Sequence, residues 1–326
     1  MIAIHTYAPI DGADDELNKK QLFLLTLSCL LLKKSFRGVR FYTTSKIKKQ
    51  VDYLNLPYDE VVVGPFEDLR TRTFSIPKLI TYSLLREPFV HIDIDLLFYS
   101  TPRKFSNLNV FYSHVDIPIY KNTQVHSFFN LYDVYLKSLK DLVNIVDESI
   151  ISHIDLFKIP NMSLFGGYYI NEISDASKIC LDIYNRNKEY FDSDFNNANI
   201  IEQLLMTSTI DMLMGKNERN FIMDKDSSFL SYVNKDINYP FTFTYNKNKV
   251  IINEEKDIYR YASFNFGYPI HLSNLKEWDI ILFIIKESII QNFDAGVEYV
   301  IKIDELYPKK EIFEQINDRY QIWISK

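Results

Sequence analysis

The chain has 326 residues, 47% of them hydrophobic and 25% charged, enough apolar material for one large α/β domain or two ordinary ones. A formal net charge of −6 with no long basic stripe argues against nucleic acid as the main partner. The two cysteines, Cys29 and Cys180, lie inside apolar helical patterns without zinc spacing, so they read as reduced core residues.

Residues Met1 to Tyr7 lack the basic and apolar regions of a signal peptide and read instead as a first strand, Ile2 to Tyr7. A loop follows, and Glu16 to Phe36 carries a long helical pattern ending in Lys33-Lys34, where cations suit a helix C-terminus. Its apolar run, Leu22 to Leu32, is broken by Thr26 and Ser28 and is too short to span a bilayer. The expectation is a soluble, cytoplasmic protein with no transmembrane segment. Val39 to Thr43 reads as a second strand, and Ser45 is placed to cap a short helix through Leu54. Glu60 to Val63 is a third strand, stopped by Gly64-Pro65. Ile76 to Arg86 is helical, with Pro77 tolerated in its first turn. Phe89 to Ile92 then forms a short apolar strand.

Strand and helix thus alternate through the first 95 residues. That pattern predicts a mostly parallel sheet with helical crossovers, whose ligands bind beyond the carboxyl ends of the strands. No Gly-x-Gly-x-x-Gly and no Walker-type loop is present, which argues against a dinucleotide fold or a P-loop enzyme. Further on, Asn109 to Tyr112 reads as a strand and His126 to Val146 as largely helical. Met162 to Ile170 reads as a strand holding Gly166-Gly167, a pair that suits close approach of a ligand or another backbone, or a bulge. Helices are expected over Asp175 to Tyr190 and Ile200 to Met214, small strands over Lys225 to Ile252, and a short strand over Tyr268 to Leu272. Helix is again expected over Trp278 to Gln291 and Val297 to Lys326. Asn161-Met162-Ser163 fits a glycosylation sequon, which means little without secretion.

The chemistry concentrates at His91-Ile92-Asp93-Ile94-Asp95, where the fourth strand ends. Side chains two apart on a strand share a face, so a regular strand would aim His91, Asp93 and Asp95 at one point. Two carboxylates there repel each other and resist desolvation, and a hard divalent cation relieves both penalties. Asp-x-Asp is also common in solvated loops; the apolar sequence on both sides is what distinguishes this one.

Lys78, the Glu87-Pro88-Phe89 lead-in and the Asp-x-Asp block resemble glycosyltransferase-like proteins of GT-A fold. The order of blocks is similar to that of the glycogenin and lipopolysaccharide-galactosyltransferase family. Lys78 stands where that family has an early Lys or Arg. Met162 to Gly167 matches its glycine block loosely, Glu202-Gln203 its acidic-Gln pair, and His271, Lys276 and Trp278 its closing His block. The resemblance covers most of residues 1–280. There are departures: the spacing from His271 to Lys276 is one residue shorter, Asn274 and Glu277 replace the usual Gly and Pro, and no acidic residue follows Gln203.

The resemblance implies a GT-A type α/β domain over residues 1–275, Rossmann-like, with a helical C-terminal extension over 276–326 packed on it. It implies a metal-dependent glycosyltransferase taking a nucleotide-sugar donor, a UDP-sugar first, to an unknown acceptor. Asp95 and His271 would ligate Mn2+ or Mg2+, with Asp93 shared between metal and ribose. Lys276 would meet a phosphate, Lys78 would contact the donor, and Glu202 and Gln203 would serve the reacting sugar. Tyr7 is a candidate to stack on the nucleobase. Arg70 and Arg72 either reach the donor or sit in a solvated loop. His91 reads as a hydrogen-bond partner of the site rather than a ligand. Two rival readings are a non-catalytic sugar- or partner-binding protein on this scaffold and a haloacid-dehalogenase-like phosphatase. The phosphatase pattern wants Thr or Val where Leu97 stands and places its motif near the N-terminus.

Overall fold

A computed structural model describes residues 1–97, 108–113, 131–156, 159–194, 197–215, 220–221, 241–246, 249–254, 262–265, 270–271, 279–308 and 321–324. The elements in chain order are β1 (Ile2–Thr6), α1 (Lys19–Ser35), β2 (Val39–Thr43), α2 (Ser45–Leu54), β3 (Glu60–Val63), α3 (Ile76–Leu84), β4 (Phe89–Ile92), β5 (Leu96–Leu97) and β6 (Val110–Tyr112). Next come α4 (Leu131–Leu142), α5 (Glu148–Ile151), β7 (Leu164–Gly167), α6 (Ile170–Arg186), α7 (Lys188–Asp192) and α8 (Asn197–Asn199). A π-helical turn (Ile200–Met206) leads into α9 (Thr207–Met214), followed by β8 (Asn220–Phe221), β9 (Phe241–Asn246), β10 (Lys249–Glu254), β11 (Ala262–Asn265) and β12 (Ile270–His271). The last elements are α10 (Asp279–Asn292), α11 (Gly296–Leu306) and β13 (Gln321–Ile324).

Among the described residues the main sheet has seven strands, in the order β3-β2-β1-β4-β7-β6-β8. The β3-β2-β1-β4 run is parallel, as the strand-helix alternation requires. Beyond it β7 runs antiparallel to both β4 and β6. Gly166 and Gly167 lie where β7 is squeezed between those neighbours. A Cβ on Gly166 would collide with the Phe89 carbonyl, and one on Gly167 with that of Asn109. The glycine pair therefore admits neighbouring backbone, not a ligand.

Helices cover both faces of the sheet. On one face α1 is buried continuously from Leu22 to Leu32, on all sides rather than along one stripe. Such a helix needs a cover on its outer side. Leu282, Ile285 and Ile289 of α10 with Val300 and Ile303 of α11 share one cluster with Leu22, Leu25 and Cys29. Polar ties hold this cover: Lys19 pairs with Asp304 at 2.7 Å, and the Lys34 ammonium donates to the Asn292 carbonyl at 3.0 Å. On the other face α3, α6, the π turn and α9 pack over Ile4, Phe89, Tyr112 and Phe165. Each such side chain contributes roughly 1.5–3 kcal/mol through burial. Both cysteines are buried free thiols, and burial pushes the Cys180 thiol up to about 12, away from the reactive range.

Several boundaries differ from the sequence expectation for local reasons. The cap of α2 is Thr44, not Ser45: the Thr44 backbone is extended and its hydroxyl accepts from the Ile47 amide. The strand expected through Ile170 ends at Gly167, and α6 begins at Ile170. The C-terminal part is helical in α10 and α11 but not throughout. Gln321–Ile324 is a strand, parallel to β9 in a second sheet of order β11-β10-β9-β13. Among the described residues, no helix is long and apolar enough to cross a membrane.

Candidate active site at the end of the fourth strand

The parallel strands β1 and β4 end side by side, with Ile4 opposite His91. The loops after their carboxyl ends therefore share one rim of the sheet. Beyond Ile92 the backbone does not continue as a strand. Asp93 donates its amide to the Ser163 carbonyl at 2.8 Å, and the Leu96 amide donates to the Asp93 carbonyl at 2.9 Å. Asp93 to Leu96 thus forms a tight turn, and period-two alternation cannot be what relates Asp93 to Asp95. The turn itself keeps both carboxylates at the rim, with Asp95 buried and Asp93 partly exposed. Asn161 supports it from beneath by accepting the Ser163 amide through its side chain at 2.9 Å. The asparagine of the sequon is therefore structural here.

Lys78 projects from the first turn of α3, the wrong end of a helix for a cation. Two carboxylates compensate it. Its ammonium lies 2.7 Å from Asp93 Oδ1 and 2.9 Å from Glu202 Oε1. Glu202 comes from the π turn, where all seven residues are buried, and its side chain is only 2% exposed. A π turn carries an extra residue, which breaks the normal ladder of carbonyl acceptors. Thr207 takes up part of the slack, its hydroxyl donating to the Gln203 carbonyl at 2.6 Å. Gln203 is buried next to Glu202 in the same turn.

Burial pushes the Glu202 carboxyl up, to about 7, against the attraction of Lys78 and with the help of Asp93. Burial acts the other way on the Lys78 ammonium, yet the charges of Asp93 and Glu202 outweigh it and hold Lys78 above its ordinary value. The Lys78 ammonium thus bridges two carboxylates, Asp93 and Glu202.

The remaining expected residues fall as follows. Tyr7 follows β1 at the same rim, and its hydroxyl accepts from the Gln21 side-chain amide at 2.7 Å. Gln21 belongs to the capping box of α1, with its own amide donating to the Asn18 side chain and the Asn18 amide donating back to Gln21. His271 is brought to the site by its backbone: β12 pairs antiparallel with β5, setting His271 opposite Leu96, the residue after Asp95. Its side chain, and the whole of Lys276 and Trp278, lie outside the described residues. Among the described residues, no group of three or more His, Cys, Asp or Glu side chains is placed to hold a metal ion.

Sequence reasoning missed the seam that fixes Lys78 relative to Glu202. The Asp192 carboxylate, at the end of α7, accepts from the Thr71 hydroxyl at 2.9 Å, the Arg72 amide at 3.0 Å and the Thr73 hydroxyl at 2.8 Å. The Tyr184 hydroxyl donates to it as well, at 3.1 Å. Ser75 then donates to the Ala198 carbonyl at 2.9 Å. The strap leading into α3 is thereby sewn to the corner leading into the π turn. The hydroxyl-bearing residues Thr71, Thr73 and Ser75, clustered just before α3, were the visible signal. Arg70 and Arg72 face solvent between them.

A family model described as a family of unknown function, DUF6734, matches residues 17–260. That span contains Lys78, Asp93, Asp95, Glu202 and Gln203. No curated protein matches the sequence. The chain belongs to the DUF6734 family.

Proposed function

We propose that this member of the DUF6734 family is a metal-dependent glycosyltransferase of the GT-A type. It would move a sugar from a nucleoside diphosphate sugar, a UDP-sugar in the first instance, to an acceptor hydroxyl. The register of β5 and β12 carries the reading. It sets the backbone of His271, from far along the chain, opposite the residue that follows Asp95. Coincidence of a histidine with an Asp-x-Asp turn is what a site for one cation requires, and a solvated Asp-x-Asp loop gives no reason for it.

The residues fit a divalent cation. Asp93 and Asp95 offer hard oxygen ligands from one turn, and the Lys78 ammonium at that rim is already shared between Asp93 and Glu202. Asp95 and His271 would hold manganese or magnesium, Asp93 would be shared with the ribose, and Lys276 would meet a phosphate. When bound, such an ion supplies positive charge to the departing diphosphate. Lys78 adds a second positive charge at the same rim, aimed by its two carboxylates. Glu202 and Gln203 lie in a water-excluded turn beside it, where a carboxylate is strongly felt by a sugar centre developing positive charge. Tyr7, held by Gln21, would offer its ring to the base.

Release of UDP from a panel of UDP-sugars, with manganese or with chelator, tests the reading. We expect manganese-dependent release with at least one donor, and a loss of about 10²-fold or more in kcat for Glu202→Gln. Release unaffected by chelator would overturn the metal-dependent mechanism. Manganese-dependent nucleotide binding without turnover of any donor would favour a non-catalytic sugar-binding protein on the same scaffold.

A further inference from the structure

His91 lies near the end of β4, fully buried, and among the described residues neither of its ring nitrogens has a hydrogen-bond partner. Its surroundings are aromatic: Tyr82 meets it edge-on with ring centroids 5.2 Å apart, and the Tyr82 hydroxyl is likewise buried without a partner. Buried polar atoms of this kind are uncommon, and each one costs stability. A phenylalanine would suit this setting better than a histidine on packing grounds. Asp93 Oδ1 lies 3.8 Å from His91 Nδ1, and that same oxygen is the one 2.7 Å from the Lys78 ammonium.

We propose that His91 is a positioning residue for Asp93, its Nδ1–H held one short step from the carboxylate and closing on it when Asp93 turns from Lys78 toward a cation. A movement of about 1 Å brings the pair to ordinary hydrogen-bond length. Lys78 and His91 would then share Asp93 in turn: the ammonium neutralises the carboxylate, and the imidazole N–H aims it. The inference rests on the functional reading above and concerns a residue that touches neither cation nor donor.

The test uses the full chain with two substitutions. His91→Phe keeps the ring volume and removes both nitrogens; His91→Asn returns a donor near the place of Nδ1. We expect His91→Phe to melt in chelator at or above the wild-type temperature, while its manganese affinity in the presence of UDP, followed by water-proton relaxation, falls 10- to 100-fold. We expect His91→Asn to recover most of that affinity. Wild-type affinity in a folded His91→Phe would overturn the proposal while leaving the glycosyltransferase reading intact. A second readout needs no cation: nitrogen-15 spectra of the histidine rings should place the His91 proton on Nδ1. A proton on Nε2 instead would overturn the proposal whether or not the wild type binds nucleotide.

Discussion

Glu202 is the residue whose surroundings ask most of it. Its carboxyl is raised from an ordinary value of 4.5 to about 7 by burial, so the folded chain holds this proton more tightly than the unfolded chain does. The sign follows directly. The stabilisation is fully present below about 4.5 and is lost as pH rises toward about 7. Glu202→Gln removes that titration while keeping the shape. We expect denaturant unfolding from pH 4.5 to 8 to show the variant gaining on wild type through this window. Parallel curves would mean that Glu202 titrates as an exposed carboxylate does.

At this scale the sequence was partly legible. Asp93 and Asp95 stood out because hydrophobic residues frame them. Lys78 and Glu202 were each singled out by family resemblance, but their pairing, 124 residues apart, was not anticipated by it or by any local pattern. The geometry relating the two aspartates was misread, because strand alternation was carried three residues beyond Ile92, where the strand ends. His91 could be noted as a neighbour of the pair, but its unpartnered nitrogens follow from burial by Tyr82, which no spacing reveals.

Among elements, the seam at Asp192 is the device that sets α3 against the π turn. Its carboxylate gathers four donors from two segments, and hydrogen bonding from Thr73, Thr71 and Arg72 outweighs burial and holds it below the usual carboxylate range. We expect Asp192→Ala to lower unfolding stability by about 1–3 kcal/mol, the cost of leaving such donors unmet. Asp192→Asn should cost less, since Oδ1 alone accepts from Thr71, Arg72 and Thr73. Equal losses in the two variants would show that charge, not the acceptor geometry, holds the strap. Strand-helix alternation made the first half of the chain readable, because parallel strands demand crossovers. The π turn was not readable: Ile200 to Met214 looks like one helix until the ladder is traced. The Thr44 cap was missed by one residue, since Ser45 is the better cap of the two on paper.

For the whole molecule, the all-round burial of α1 decides the architecture. Its run of apolar residues looked like an unusually greasy helix, and the explanation lies some 250 residues later in α10 and α11. Those two helices are part of the same core as the first strands, held by Lys19–Asp304 and the Leu282, Ile285 and Ile289 row. The C-terminal part was expected to be helical, and β13 shows why that was only half right: Gln321 to Ile324 has the strand chemistry of Ile and Trp, but its partner β9 lies some 80 residues upstream. The same long-range pairing, in β5 and β12, brings His271 to the Asp-x-Asp turn, and the functional reading depends on it.

Calorimetric titration of UDP into the full chain, with manganese and then with chelator, beside an Asp95→Ala variant, tests that reading most directly. We expect binding that requires manganese and is lost in the variant while the fold survives. No binding of UDP, GDP or CDP to the wild type under either condition would contradict the nucleotide-sugar site and leave the turn at Asp93 without a ligand.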